Sequence, residues 1–312
     1  MKTYFSSLIL VFGIALYAQD YKSTNLEINQ LIDGTLLEPA EKSKTLVILI
    51  AGSGPTNRDG NSTVGKNNSL KLLAQHLAEQ GIASFRYDKR IFKLMRDNRL
   101  DQSKLRFDDF VDDATDVVNY FKLYNKEEYG YEKFVLIGHS QGALVAQLAS
   151  LKTAVTGLVL VCGSSRPIKD ILVEQVSKQA PFLVNDLKTS LDSIAKVGYV
   201  NKVNPLLRTL LYKDVQPFLQ SWMQYDPTEI AKQIIEPTLA IGGTTDIQVP
   251  AEESKVLAKH LQNGDYAIIE NMNHVLKEVE DLGLENQKSY TDPNFPMSTE
   301  FKSKVSTFIK SL

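Results

Sequence analysis

This chain of 312 residues contains a single cysteine, so no intrachain disulfide can form. Cys162 closes the apolar run Gly157-Leu-Val-Leu-Val-Cys162 and reads as a small buried hydrophobe. There is no H-E-x-x-H and no paired C-x-x-C, so the usual zinc-site spacings are missing. In Gly52-Ser53-Gly54-Pro55 a proline stands where a phosphate-binding loop needs amides. The formal net charge is only −2 and the lysines and arginines are scattered, which leaves no basic stripe to neutralise nucleic acid phosphates. Repeats and low-complexity tracts are absent. The apolar stretch Leu8 to Ala18 is too short for a membrane span of about twenty residues.

That stretch follows Lys2 and ends in Ala15-Leu-Tyr-Ala18, the pattern of a secretory signal peptide over residues 1–18. No cysteine lies near the cleavage point, so no lipid-modified cysteine anchor is indicated. The expectation is a secreted or periplasmic protein with no stable membrane insertion after cleavage. Leu16 occupies a position where a small residue is usual, which leaves an uncleaved anchor as the alternative. With 43% apolar residues the remainder suffices for one large domain over 19–312.

Short runs rich in Val, Ile and Leu at 45–51, 82–87, 133–138, 157–162, 238–242 and 266–269 lack polar alternation, as strands buried on both faces do. Amphipathic patterns at 69–80, 107–124, 142–151, 252–262 and 299–311 fit helices between and after them. The alternation predicts a mostly parallel sheet with helices on both faces. Segment 24–38 is expected to add an edge hairpin turning at Asp33-Gly34. Some seventy residues separate the fourth and fifth runs, far more than a parallel crossover needs. Their apolar residues, among them Leu187, Leu191, Leu206, Phe218 and Trp222, have helical spacing, so a helical cap insertion is expected at about 165–235 that contributes little to the core.

The most specific feature is Phe134-Val-Leu-Ile-Gly-His-Ser-Gln-Gly142, an apolar strand running into G-x-S-x-G and then a small apolar helix. A serine hydroxyl is a weak nucleophile unless it is exposed beside a base, and a sharp strand-to-helix turn provides the exposure. Ser140 is the candidate nucleophile. With Leu49 to Asn61, Phe85 to Arg90, Gly242 to Pro250 and Asn271 to His274, this stretch resembles the α/β-hydrolase superfamily, in its esterase and serine-aminopeptidase-like branch. The resemblance covers nearly the whole chain after residue 20. It implies an α/β-hydrolase fold whose catalytic groups run Ser, acid, His along the chain.

Four histidines are present. His76 precedes Ser140 among packing leucines, His139 is inside the elbow, and His260 has helix-surface spacing. His274 remains, in a loop after a strand, as the general base. Asp246 follows the run Leu239 to Gly243 and is the candidate acid, with Asp265 and Glu270 as rivals on or beside the strand that delivers His274. The oxyanion hole is expected from the backbone N–H groups of Gln141, at a helix start, and Ser53. Related enzymes carry His-Gly before that second donor, where this chain has Ala51-Gly52. Arg58 and Asp59 are expected to steady the loop by an ion pair, and Arg86, Asp88, Lys89 and Arg90 are read as structural. Ile91-Phe92 replaces the usual glycine and is expected to reshape one pocket wall.

The resulting expectation is a serine hydrolase of small-molecule carboxylic esters, needing no cofactor or metal. A serine aminopeptidase or acyl-thioester hydrolase is the alternative, and a non-catalytic binding protein on the same scaffold a further one. An aminopeptidase must hold an ammonium group, and Asp170, Glu174, Asp186, Asp192, Asp214, Asp226 and Glu229 are the acids the insertion offers.

Overall fold

The computed structural model describes residues 21–63 and 65–312, so the expected signal segment lies outside them. Strands β1 (Tyr21–Asn29) and β2 (Ile32–Pro39) form an antiparallel hairpin at one edge. Then come β3 (Thr45–Ile50), helix α1 (Ser69–Glu79), β4 (Ala83–Tyr87), α2 (Arg90–Arg96), α3 (Asp108–Tyr124), β5 (Lys133–His139), α4 (Gln141–Ser150) and β6 (Gly157–Val161). A long helical segment follows, with α5 (Ile168–Gln179), α6 (Val184–Val197), α7 (Arg208–Leu211), α8 (Gln216–Trp222) and α9 (Pro227–Ala231). The chain then re-enters the sheet as β7 (Thr238–Gly243), α10 (Glu252–His260) and β8 (Gly264–Ile269), and ends with α11 (Leu284–Ser289) and α12 (Thr299–Ser311).

The strand order is β1-β2-β4-β3-β5-β6-β7-β8, parallel from β4 to β8 and antiparallel only at the hairpin edge. This is the α/β-hydrolase fold anticipated from the sequence. Along β3, Leu46, Ile48 and Ile50 pack towards α3 and α4, whereas Val47 and Leu49 pack towards α1 and α12. Strand alternation therefore feeds two apolar layers, one on each face. No helix among the described residues is long and apolar enough to cross a membrane.

Two expectations are corrected. The hairpin turns at Gln30-Leu31, where Asn29 Oδ1 accepts the Leu31 amide at 2.8 Å, and not at Asp33-Gly34. Gly34 lies inside β2 because the Phe85 ring occupies the place its Cβ would take, with Cζ only 2.0 Å away. The 165–235 segment also contributes more to the main core than expected. Ile168, Leu172, Leu187, Leu191 and Ile194 do form a cluster of their own. Its C-terminal part, however, joins the sheet layer: Ala231 and Ile234 are fully buried there, and Trp222 stacks on Phe107 at 5.3 Å between centroids. Leu206 is exposed.

Candidate active site

Ser140 stands between the end of β5 and the start of α4 with φ 55° and ψ −120°, a strained conformation for a residue with a side chain. The turn is possible because both flanking glycines lack Cβ. A Cβ on Gly138 would lie 2.1 Å from the Gly142 carbonyl oxygen, and one on Gly142 would lie 2.5 Å from that of Ile50. The Ser140 amide is held by the Val161 carbonyl at 2.8 Å. The side chain is thereby offered at the C-terminal edge of the sheet, where open α/β sheets place their ligands.

Asp246 and His274 reach the same edge from the loops after β7 and β8. Their side chains are 0% and 6% exposed, and His274 Nδ1 lies 2.7 Å from Asp246 Oδ2. A carboxylate oxygen only accepts, so Nδ1 carries a proton, and the neutral tautomer this selects has its lone pair on Nε2. Asp246 Oδ1 accepts the amides of Gln248 and Val249 at 2.7 and 2.9 Å. Burial pushes the Asp246 carboxyl up, but His274 and these two amides outweigh it and hold the group below the usual carboxylate range. Neither rival acid is hydrogen-bonded to His274: Asp265 bonds the Tyr266 amide, and Glu270 lies 3.4 Å from Thr244 Oγ1.

The two loops are laced together. Asn273 Oδ1 accepts the amides of Val275 and Lys277, while its Nδ2 donates to Asn286 and Ser289; Asn286 in turn donates to the Thr245 carbonyl at 2.9 Å. His139, set aside in the sequence because of its place in the elbow, donates from Nε2 to the His274 carbonyl at 2.7 Å. The two rings are 4.9 Å apart, so the elbow is tied to the loop that carries His274. Burial and the neighbouring His274 lower the His139 pKa to about 3, which keeps the ring neutral. His76 bonds the Lys302 carbonyl and His260 the Val256 carbonyl, both away from this group. Atoms of His139, Cys162 and His274 approach within 4.8 Å of one another. Burial raises the Cys162 pKa, which opposes the thiolate form that metal ligation by this residue requires.

The Ala51-Gly52-Ser53 loop abuts the elbow, since a Cβ on Gly52 would lie 3.1 Å from Ser140 Cβ. Arg58 and Asp59 steady it, but they do not pair with one another. Arg58 binds Asp88 at 2.6 Å, and Asp59 binds Arg86 at 2.8 Å, tying the loop to the end of β4. Arg90 is engaged by Asp109 and Asp113.

Ser53, Ser140 and Gln141 lie at the wall of a cavity of about 690 Å³. Its other walls are largely apolar, with Ile91 from α2, Leu144 from α4, Leu172 from α5 and Leu219 and Trp222 from α8. Asp214 is the one carboxylate among the lining residues described and it is solvent-exposed, while the one cation, Arg166, is paired with Glu174 and Glu253.

Residues 66–280 match the family described as serine aminopeptidase, S33. The chain belongs to that family. Among relatives of the S33 chain, Esterase EstD of Thermotoga maritima is 23% identical over 272 residues, which span 83% of this chain and 61% of that protein. Two solved structures share the fold. Est1E from Butyrivibrio proteoclasticus superposes with a TM-score of 0.57 at 15% identity, over 93% of this chain and 98% of its own. The dienelactone hydrolase from Anabaena variabilis gives 0.54 at 14% identity, over 94% and 99%.

Proposed function

We propose that this S33-family protein is a serine hydrolase of carboxylic esters. Ser140 Oγ passes its proton to His274 Nε2 and attacks the ester carbonyl. The Gln141 and Ser53 amides receive the oxyanion, and Asp246 stabilises the imidazolium. Collapse expels the alcohol, protonated by His274, and leaves an acyl-enzyme. Water activated by the same histidine then releases the acid. The observation that carries this reading is Ser140, held at positive φ, at the wall of an apolar cavity, on the edge where the buried Asp246–His274 pair also stands. The esterase names of EstD and Est1E agree with it.

Cleavage of an ester is favoured over aminopeptidase action because an ammonium group would find no buried carboxylate on the cavity wall. The other acids of the helical segment are largely engaged elsewhere. Glu174 pairs with Arg166 and Lys178, Asp192 with Lys169, and Glu229 with Lys232, while Asp226 caps α9 through Thr228. The test is turnover of p-nitrophenyl esters beside aminoacyl-nitroanilides. A higher kcat/KM for an aminoacyl-nitroanilide than for p-nitrophenyl butyrate would reverse the assignment.

A further inference from the structure

Lys89 is 6% exposed, an unusual place for an ammonium group, and it forms no ion pair among the described residues. Two neighbouring carboxylates are taken: Asp88, next in sequence, by Arg58, and Asp113, which lines the same small pocket as Lys89, by Arg90. Lys89 Nζ instead donates to the carbonyl of Gly52, to that of Gly54 at 3.3 Å and to Gln141 Oε1 at 3.2 Å, which uses all three of its hydrogens. The Phe110 ring lies 5.0 Å away and closes the remaining side. Without a counter-ion, burial lowers the pKa to about 7. A buried, unpaired cation is a costly feature, and stability alone gives no reason to keep it.

The acceptors give a reason. The Gly52 carbonyl and the Ser53 N–H are opposite ends of one rigid trans peptide, so a donor fixed on the oxygen aims the N–H the other way. The same bond polarises the amide and makes its N–H a stronger donor. Gln141, whose N–H is the second proposed donor, is tied through its side chain to the same Nζ. We propose that Lys89 is the positioning residue of the oxyanion hole, one ammonium group orienting both the Ser53 and the Gln141 amides and placing positive charge behind them. Lys89 supplies, from the end of β4, the loop contact that Ala51 cannot make. Its own backbone is held by the ion pairs of Asp88 and Arg90 on either side. This inference rests on the ester-hydrolase reading.

The test is Lys89→Met, which keeps the length of the side chain and removes its donors. Relative to wild type, kcat for p-nitrophenyl butyrate should fall about tenfold to a hundredfold, less than for loss of a donor itself, with KM changed by less than about threefold. Affinity for an alkyl boronic acid, which becomes tetrahedral on the serine, should fall by the same factor as kcat. Gln141→Leu keeps the backbone donor and loses the side-chain acceptor. It should lower kcat by a smaller factor, again without raising KM, and the double variant should be no worse than Lys89→Met alone. Lys89→Met with wild-type kcat and boronate affinity, or full additivity in the double variant, would overturn the inference. Should Lys89→Met not fold, Gln141→Leu decides: unchanged kcat refutes the role. A wild-type protein without ester turnover would instead refute the reading beneath it.

Discussion

The Asp246 carboxylate is fully buried and meets the His274 imidazole at 2.7 Å, with its second oxygen capped by two backbone amides. Each oxygen thus has a fixed task. One orients the ring, and the other is locked so that the carboxylate cannot rotate away.

Asp246→Asn preserves the shape of this pair but allows the amide to donate to Nδ1, which selects the wrong tautomer. The variant should stay folded and lose kcat by a factor on the order of 10⁴, with KM little altered. Steady-state kinetics with p-nitrophenyl butyrate, beside a melting curve, checks this. Retention of more than a tenth of wild-type kcat would remove Asp246 from the mechanism.

Ser140→Ala should abolish fluorophosphonate labelling and ester turnover, while retaining the positive φ and its strain. Ser140→Gly should be equally inactive yet more stable than Ser140→Ala by about 1 kcal/mol, because glycine adopts this conformation freely. Equal melting temperatures for the two variants would show that the elbow is not under strain.

His139 is neutral when folded, with a pKa of about 3 against 6.5 for an ordinary histidine. The unfolded chain therefore binds a proton that the native state refuses. Stability from this group is complete above pH 6.5 and is lost as pH falls towards 3, by up to about 1.4 kcal/mol per pH unit. Burial also lowers the His76 pKa, so His76 adds to the slope. Urea titrations between pH 4 and 7 should show a flatter dependence for His139→Gln than for wild type. An unchanged slope would contradict the assignment.

The apolar cavity predicts that kcat/KM rises with acyl length, by up to about fourfold per methylene if each contributes about 0.8 kcal/mol. Leu172→Trp fills part of the wall formed by α5 and should shift the optimum towards acetate. A wild-type series flat from acetate to octanoate would show that the acyl group does not enter this cavity.

Much of this arrangement is legible in the sequence. The six parallel strands of the sheet and five of the helices begin and end within about two residues of the positions their apolar periodicity marks, since burial on both faces leaves little freedom in register. Ser140, Asp246 and His274 are read from chain order and from their places after strands. Long-range partners are not legible. Lys89 looks like one more charge in Arg86-Tyr-Asp-Lys-Arg90 until β4 sets it beside β3 and carries its Nζ to Gly52. His139 has no partner in the elbow's own sequence, and the loop after β8, 135 residues away, brings a carbonyl to it. The hairpin misled because Gly34 answers to the bulk of Phe85, a constraint from a neighbouring strand that mimics a turn signal.

Cys162 directly follows β6, with its amide bound to the Ile241 carbonyl, and is 2% exposed, beside the ring atoms of His139 and His274. It is the only thiol in the chain. A reagent that reads free sulfhydryls therefore has a single target, screened until the protein opens at this edge. The rate of its colour change is a clock for breathing of the native state, available without introducing a label.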